Sequence, residues 1–199
     1  MFVQVIQAKV KDAAGVRKQV EKWDQEVRPV SKGFLGSTGG ITPDGQFIVI
    51  ARFENREVAM SNSDSEVQSK WWEETSQYLE DPMFHDCDDV ELQDGGGSNK
   101  AGFVQVMQGK VTDIDKAREL DRSTRDQLRQ IRPDVLGGIV AYNPNGRFTN
   151  AIYFTSEAEA RAKEKETSDS PEFQKFMSEW AAISDGETEF LDLPEPWLH

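Results

Sequence analysis

The sequence predicts an α+β protein built from two copies of one β-α-β-β-α-β unit, and three observations lead to this prediction. The nine residues at 2–10, FVQVIQAKV, return 101 positions further on as FVQVMQGKV at 103–111, with seven of the nine identical. Within each copy, hydrophobic periodicities typical of strands and helices follow one another in that order. The repeated strand is apolar on both of its faces, which is typical of a strand covered on both sides.

The first copy gives the elements their order. Asp12 is placed to cap a helix whose apolar residues recur every three or four positions, up to Arg28-Pro29. Pro43-Asp44-Gly45 is a turn between two β-rich runs, and Asp81-Pro82 is expected to break a helix. The predicted elements are a strand at 2–10, a helix to about 28, strands at 34–42 and 46–53, helices at 55–60 and about 65–80, and a strand within 83–92.

The second copy repeats this order after a glycine-rich segment. Residues 94–100, DGGGSNK, contain no apolar side chain and predict a flexible linker. We therefore expect one repeat at 1–93, the linker at 94–100 and a second repeat at 101–199, in which residues 194–199 form a tail. Each repeat has the ferredoxin-like order, which leaves one sheet face open. Packing the two antiparallel sheets together as an intramolecular α+β barrel would cover both faces.

Composition excludes several classes of partner. The chain has 36 acidic and 23 basic side chains and a net charge of −13, which disfavours nucleic acid and anionic membranes. A single cysteine, Cys87, rules out an intramolecular disulfide framework and is typical of a reducing compartment. The start MFVQV lacks the pattern of a signal peptide. These features predict a cytoplasmic protein.

The same elements resemble the dimeric α+β barrel superfamily, and within it the antibiotic-biosynthesis-monooxygenase (ABM) domains. The resemblance rests on the opening strand, the hairpin into Phe47–Phe53, and Asn55-Arg-Glu-Val-Ala59 with the aromatic helix after it, echoed at Ser156–Ala160. It covers nearly the whole chain twice, and it implies a pseudo-dimer within one chain, with further homodimerisation left open. It also implies binding of a small apolar or aromatic molecule and, in some members, oxygenation without a cofactor.

Haem-degrading members of that superfamily use an asparagine on the first strand and a tryptophan and a histidine on the second helix. By that resemblance, Gln7 stands near the asparagine and Trp71 or Trp72 could supply the tryptophan. His85, however, follows the helix-breaking Asp81-Pro82, and the second copy offers Gln108 and no equivalent histidine. Haem binding is therefore a third reading, and we expect no cofactor.

The candidate ligand-binding residues are polar or aromatic side chains in otherwise apolar elements. Trp71 and Trp72 diverge by about 100° on a helix, so one should pack inward while the other covers a pocket. Gln7 and Gln108 require hydrogen-bond partners when buried, which a ligand, water or the other copy could supply. Asn150 replaces Val49 of the first copy and would line a polar cavity. For Trp71 and Trp72, the competing interpretation is that both only pack in the core.

Three further residues complete the set. Arg52 and Tyr153 occupy equivalent positions on the opposite strand face and could orient an anionic or phenolic ligand. His85 is the candidate general base, since no other histidine except His199 is present. His85 and Cys87 share a strand face, but two ligands are too few for a tetrahedral metal site, and we predict no metal.

The sequence thus leaves two main hypotheses. One is a small-molecule protein, possibly an enzyme that is a cofactor-independent monooxygenase with His85 as base. The other is a non-catalytic interaction module with a solid core. Because Val49 is matched by Asn150, and His85 and Cys87 by Leu191 and Leu193, we expect at most one pocket of each kind.

Overall fold

The computed structural model describes residues 1–199 and contains two five-stranded antiparallel sheets with six α-helices. The chain divides into two compact units, residues 1–90 with 195–199 (unit 1) and residues 91–194 (unit 2). The predicted α+β class and the duplicated β-α-β-β-α-β order are confirmed. The packing of the sheets as a barrel and the boundaries 1–93, 94–100 and 101–199 stay predictions.

The first repeat contains nine elements up to residue 87. They are β1 (Phe2–Val10), α1 (Ala13–Lys22), a π-helical turn (Trp23–Val27), a 3-10 turn (Arg28–Val30), β2 (Phe34–Ile41), β3 (Gln46–Phe53), α2 (Arg56–Ser63), α3 (Glu66–Ser76) and β4 (Leu79–Cys87). After β5 (Asp89–Gln93), the second repeat contains β6 (Phe103–Lys110), α4 (Ile114–Ile131), β7 (Val135–Tyr142), β8 (Arg147–Phe154), α5 (Glu157–Thr167), α6 (Pro171–Ile183) and β9 (Glu189–Leu193), and β10 (Trp197–Leu198) follows.

The first sheet has the strand order β10-β2-β3-β1-β4, and the second has the order β5-β7-β8-β6-β9. In each sheet, four neighbouring strands belong to one ferredoxin-like repeat. The remaining strand, β10 in the first sheet and β5 in the second, follows the other repeat in sequence. β10 is short: Trp197 pairs with Gly39 and Leu198 with Thr38. The tail predicted at 194–199 is therefore partly a strand.

β1 is buried on both faces, as predicted. β1 lies between β3 and β4 in the sheet, and its Val5 is opposite Ile50 of β3 and His85 of β4. Directly opposed residues share a face, so Val5, Ile50 and His85 lie on one face, while Ile6 and Ala8 lie on the other. Phe2, Val3 and Val5 are all fully buried.

Caps and turns agree with the sequence. The Asp12 side chain accepts hydrogen bonds from the amides of Ala14 and Gly15 and begins α1. Ser65 caps α3 in the same way by accepting from the amide of Gln68. Gly45, with φ of 87°, supplies the left-handed conformation that the turn between β2 and β3 requires.

The predicted helix at about 65–80 and the last strand within 83–92 are wrong in their bounds. α3 ends at Ser76, and Leu79 begins β4, where it pairs with Val10. Asp81-Pro82 lies inside this strand, at a register shift where Asp81 adopts a φ of 49°. Proline is tolerated there because β4 is an edge strand and needs no amide on its outer side. The strand then divides, and β4 and β5 belong to different sheets.

None of the helices combines the length and the apolar character that a membrane span requires.

Candidate functional site

Unit 1 contains an aromatic cavity between its sheet and its helices. Four of the five tryptophans of the chain contribute to its wall, together with three phenylalanines and two valines. The lining residues are Gln4, Ile6, Val20, Trp23, Ser31, Phe34, Ser37, Gly39, Phe47, Val49, Ala51, Phe53, Asn62, Ser63, Gln68, Trp71, Trp72, Trp197 and His199. Its volume is about 80 Å³, more than the 10–15 Å³ that one water requires and less than the several hundred of a drug-sized pocket.

The sheet supplies the floor of this cavity. Ile6 on β1 lies opposite Val49 on β3, and Val49 lies opposite Gly39 on β2. A Cβ at Gly39 would come within 2.7 Å of the Val49 side chain, so glycine keeps this part of the floor open. Because successive side chains of a strand point to opposite faces, every second residue of β1 and β3 faces the cavity. Ile6 and Val49 are two such residues, and they make this part of the floor apolar.

Both tryptophans of α3 form part of the wall, whereas the sequence predicts that only one of them covers a pocket. Trp71 is buried and donates its indole N–H to the carbonyl of Gln19 at 2.7 Å. Trp72 is half-buried and packs edge-on against Phe84 of β4, with ring centroids 5.1 Å apart. Both nevertheless line the same cavity, with their own centroids 6.0 Å apart.

The π-helical turn after α1 carries Trp23 into the wall. The Trp23 indole N–H donates to Gln68 Oε1 at 3.2 Å, and the Trp23 ring packs edge-on against Phe34 with ring centroids 5.1 Å apart. The extra residue per turn rotates the helix surface at this point, and such turns are frequent at functional sites. The sequence predicted a helix to Arg28-Pro29 without this change of pitch.

The C-terminal segment closes the remaining side. Trp197 of β10 packs against Phe47 with centroids 6.2 Å apart, and the His199 ring lies 5.7 Å from that of Trp23. The His199 amide donates to the Ser37 carbonyl, and the Ser37 amide donates to the His199 carbonyl, at 3.0 and 2.9 Å. The sequence predicts a tail at this segment, and the apolar pair Trp197-Leu198 is the signal that indicates a strand there.

His199 is the only histidine on the cavity. Its Nδ1 lies 3.2 Å from Ser37 Oγ, and its Nε2 lies 3.6 Å from Asp24 Oδ1. Burial lowers the pKa of His199 below its ordinary value of 6.5, Asp24 acts in the opposite direction, and Arg28 adds to the lowering. The ring is therefore neutral near pH 7.

Most other polar groups on the wall already have protein partners. Gln4 donates to Asp86 at 3.1 Å, Ser31 to the Val27 carbonyl at 3.0 Å and Asn62 to the Lys32 carbonyl at 2.7 Å. The site thus offers a broad aromatic surface with few unengaged polar atoms. Such a surface suits an apolar or aromatic molecule with at most one or two polar substituents.

The other sequence candidates of the first repeat lie across the sheet from the cavity. Gln7 opposes Ile48, Arg52 opposes Val3, and His85 opposes Val5, all on the face that does not carry Ile6. Their ligand-binding and catalytic roles stay predictions, and His85 does not belong to the wall of this cavity. Cys87 is on the same face as His85, where burial, followed by Asp86 and Asp88, raises the pKa of its thiol to about 11.

The candidates of the second repeat lie in unit 2. Gln108 donates to Thr149 Oγ1 at 2.9 Å, and Tyr153 is buried with its hydroxyl beside Gly97. Asn150 lies on the helix-facing side, opposite Met107 and Val140, and its Oδ1 is buried without a hydrogen-bond partner. None of the His, Cys, Asp and Glu side chains form a group of three or more that could hold a metal.

Unit 2 has polar side chains where α1 and the π-helical turn of unit 1 contribute Val20 and Trp23 to the wall. With the 101-residue offset that holds up to the caps Asn55 and Ser156, Val20 is matched by Asp121 and Trp23 by Thr124, whereas aligning the later caps Ser65 and Ser170 matches Trp71 with Phe176. Gln93 donates to Asp121 at 2.7 Å, and Arg125 pairs with the same carboxylate. Burial raises the pKa of Asp121, and Arg125 opposes this. The two repeats therefore share a fold and differ in the chemistry of this position.

Solved structures with the same fold include two provisionally assigned monooxygenases and an anthrone oxidase-like protein. The protein from Fusobacterium nucleatum superposes with a TM-score of 0.76 at 10% identity, covering 96% of this chain and 90% of that one. The protein from Lactobacillus acidophilus gives 0.72 at 9%, covering 96% and 92%, and the anthrone oxidase-like protein gives 0.70 at 10%, covering 96% and 89%.

At these identities the likeness concerns the fold, and at that level the resemblance expected from the sequence is confirmed. No protein-family model matches the chain, and no curated protein matches it.

Proposed function

We propose that unit 1 binds a small aromatic molecule in its aromatic cavity. The observation that carries this proposal is the convergence of Trp23, Trp71, Trp72 and Trp197 on one cavity. These residues come from three separated parts of the sequence, so their meeting is a property of the fold and not of local composition. Aromatic walls bind aromatic rings through apolar burial and offset or edge-on ring contacts, each worth about 0.5–1.5 kcal/mol beyond burial.

The reaction class that we propose is oxygenation without a cofactor. In such a reaction a ring CH₂ and O₂ become C=O and water, so that dioxygen is both the oxidant and the oxygen source. The protein has to desolvate the substrate and remove an acidic proton, after which the carbanion or phenolate reacts with O₂. A mainly apolar, aromatic cavity with a neutral histidine on its wall suits these two requirements, and the fold is shared with provisionally assigned monooxygenases.

Ligand titration tests the binding step. Isothermal titration with one-, two- and three-ring compounds, anthrone among the last, should give the tightest binding for one-ring compounds, because the cavity of about 80 Å³ is small for a drug-sized ligand. Trp72→Ala should weaken that binding by roughly tenfold, because one ring contact and part of the covered surface are lost. Trp180→Ala removes the one tryptophan outside the cavity and is the matched control. Oxygen uptake with the tightest ligand then tests the chemistry.

The alternative is a non-catalytic interaction module, and one observation favours it: the cavity is small for a drug-sized ligand. Native mass spectrometry of the purified protein distinguishes the two. No retained molecule and no binding across the ligand series would support the module. Binding without oxygen uptake would leave a small-molecule binder.

Haem does not fit this site. The cavity is smaller than even a drug-sized pocket, and His85 lies on the opposite face of the sheet from Trp71 and Trp72. Adding haemin to the protein should therefore give no Soret band that depends on His85.

A further inference from the structure

Ser37, His199 and Asp24 lie in a line that ends at the aromatic cavity, with a hydrogen bond between Ser37 and His199 and an ion-pair separation of 3.6 Å between His199 and Asp24. Ser37 is on β2, His199 follows β10, and Asp24 is in the π-helical turn. Ser37 and His199 line the cavity, whereas Asp24 stands behind the histidine, 3.6 Å from its Nε2. No local sequence pattern relates the three residues, which the sheet and the turn bring together.

The charge of Asp24 favours one of the two neutral forms of the His199 ring. With its Oδ1 3.6 Å from Nε2, Asp24 favours the form that carries the proton on Nε2, in which Nδ1 accepts from the Ser37 hydroxyl at 3.2 Å. Ser37 Oγ then has lone pairs free to accept from a ligand hydroxyl in the cavity. Arg28 pairs with Asp24 at 2.9 Å from the same helical segment, and Arg52 of β3 approaches Gly36 beside the His199 carbonyl.

We propose that this Ser37-His199-Asp24 chain accepts the proton of a ligand hydroxyl, so that the cavity selects phenols or enols among aromatic molecules. The inference rests on the proposed function of the same cavity. The ligand O–H bond breaks as its proton passes to Ser37 Oγ, while the serine proton passes to His199 Nδ1. The ligand becomes a phenolate or enolate, the histidine becomes an imidazolium, and the Asp24 carboxylate stabilises that positive charge.

The second repeat lacks all three members of the chain. Ser37 is matched by Gly138 and Asp24 by Arg125. The position of His199 is taken by Gln93, whose Oε1 lies against the place that a Cβ on Gly138 would occupy. The proton-accepting arrangement therefore belongs to unit 1 and is not a consequence of the fold as such.

The test compares 4-nitrophenol with 4-nitroanisole, which has the same ring and lacks the acidic proton. Bound 4-nitrophenol should ionise at a lower pH than free 4-nitrophenol, and the visible absorbance of the phenolate reports this directly. His199→Gln, which copies Gln93, should abolish the shift and weaken 4-nitrophenol binding by roughly tenfold, the loss expected for one hydrogen bond to a charged group. Binding of 4-nitroanisole should change less than about twofold.

Two further variants separate the chain from its surroundings. Ser37→Ala should reduce the shift in the same direction, and Glu195→Gln, on an exposed tail residue that pairs with exposed Arg17, should leave it unchanged. If both ligands bind equally, with no ionisation shift and no effect of His199→Gln, the proton-accepting chain is refuted while the binding site stands. If neither ligand binds the unmodified protein, the proposed function itself fails.

Discussion

Cys87 shows how a buried residue beside acidic groups loses reactivity. With the pKa of its thiol raised to about 11 against an ordinary 9.0, the thiolate at pH 8 is roughly one hundredfold scarcer than for a free cysteine. We expect iodoacetamide to alkylate folded protein at least about one hundredfold more slowly than protein unfolded in urea. Mass spectrometry of the labelled peptide measures this. Equal labelling rates in the two states would show that the thiol is accessible and unperturbed.

His199 links the stability of the protein to pH. Because burial lowers its pKa below 6.5 in the folded state, the unfolded chain binds more protons between that lowered value and 6.5. The His199 contribution is therefore fully present above pH 6.5 and is lost as the pH falls through the folded-state pKa. Urea unfolding between about pH 5 and 7 should show a decline in unfolding free energy that is shallower in His199→Gln. An identical slope would contradict the burial of this ring.

At the scale of elements, β10 is the shortest strand and completes the cavity. It contributes the strand pairs to Thr38 and Gly39, the two backbone hydrogen bonds between His199 and Ser37, and the Trp197 ring. A chain ending at Pro196 should lose about 3 kcal/mol of unfolding free energy, from one partly buried aromatic side chain and the hydrogen bonds. Urea titration measures the loss, and a domain with an ordinary unfolding free energy of roughly 5–15 kcal/mol stays folded after it.

The same truncation should also remove ligand binding, because Trp197 and His199 line the cavity. Trp197→Ala provides the finer comparison, since it keeps the backbone pairing and removes only the ring. It should weaken binding of an aromatic ligand and leave the hydrogen bonds to Ser37 in place. Unchanged affinity in the truncated chain would mean that β10 is not part of the site.

These elements also show what the sequence could and could not predict. Alternation in residues 2–10, the cap at Asp12 and the turn at Gly45 are local signals, and the elements that depend on them formed as expected. The division of β4 from β5 and the pairing of β10 with β2 depend on contacts between distant parts of the chain. Trp71 and Trp72 are candidates from the sequence because adjacent tryptophans are conspicuous, whereas His199 acquires its neighbours only through β10.

At the scale of the whole molecule, the two repeats have kept one fold and diverged in their helix-facing side chains. Unit 1 has the aromatic wall, and unit 2 has Asp121 bonded to Gln93 and Arg125, with Glu91 paired to Arg118 and Arg122. An aromatic ring brought against these groups would have to displace hydrogen bonds and desolvate charges, which costs more than the burial returns. The net charge of −13 further disfavours anionic ligands at the surface.

We therefore expect one aromatic ligand per chain and not two. Native mass spectrometry at saturating ligand should show a single mass increment, and isothermal titration should give a stoichiometry near one. Trp72→Ala should reduce occupancy of that one site, whereas Met177→Ala, at the position of α6 that matches Trp72 when the caps Ser65 and Ser170 are aligned, should leave affinity unchanged because it lies outside the cavity. Two increments of equal affinity would mean that the second repeat keeps a cavity despite its charged groups, and the asymmetry argued from Asp121 and Glu91 would then be wrong.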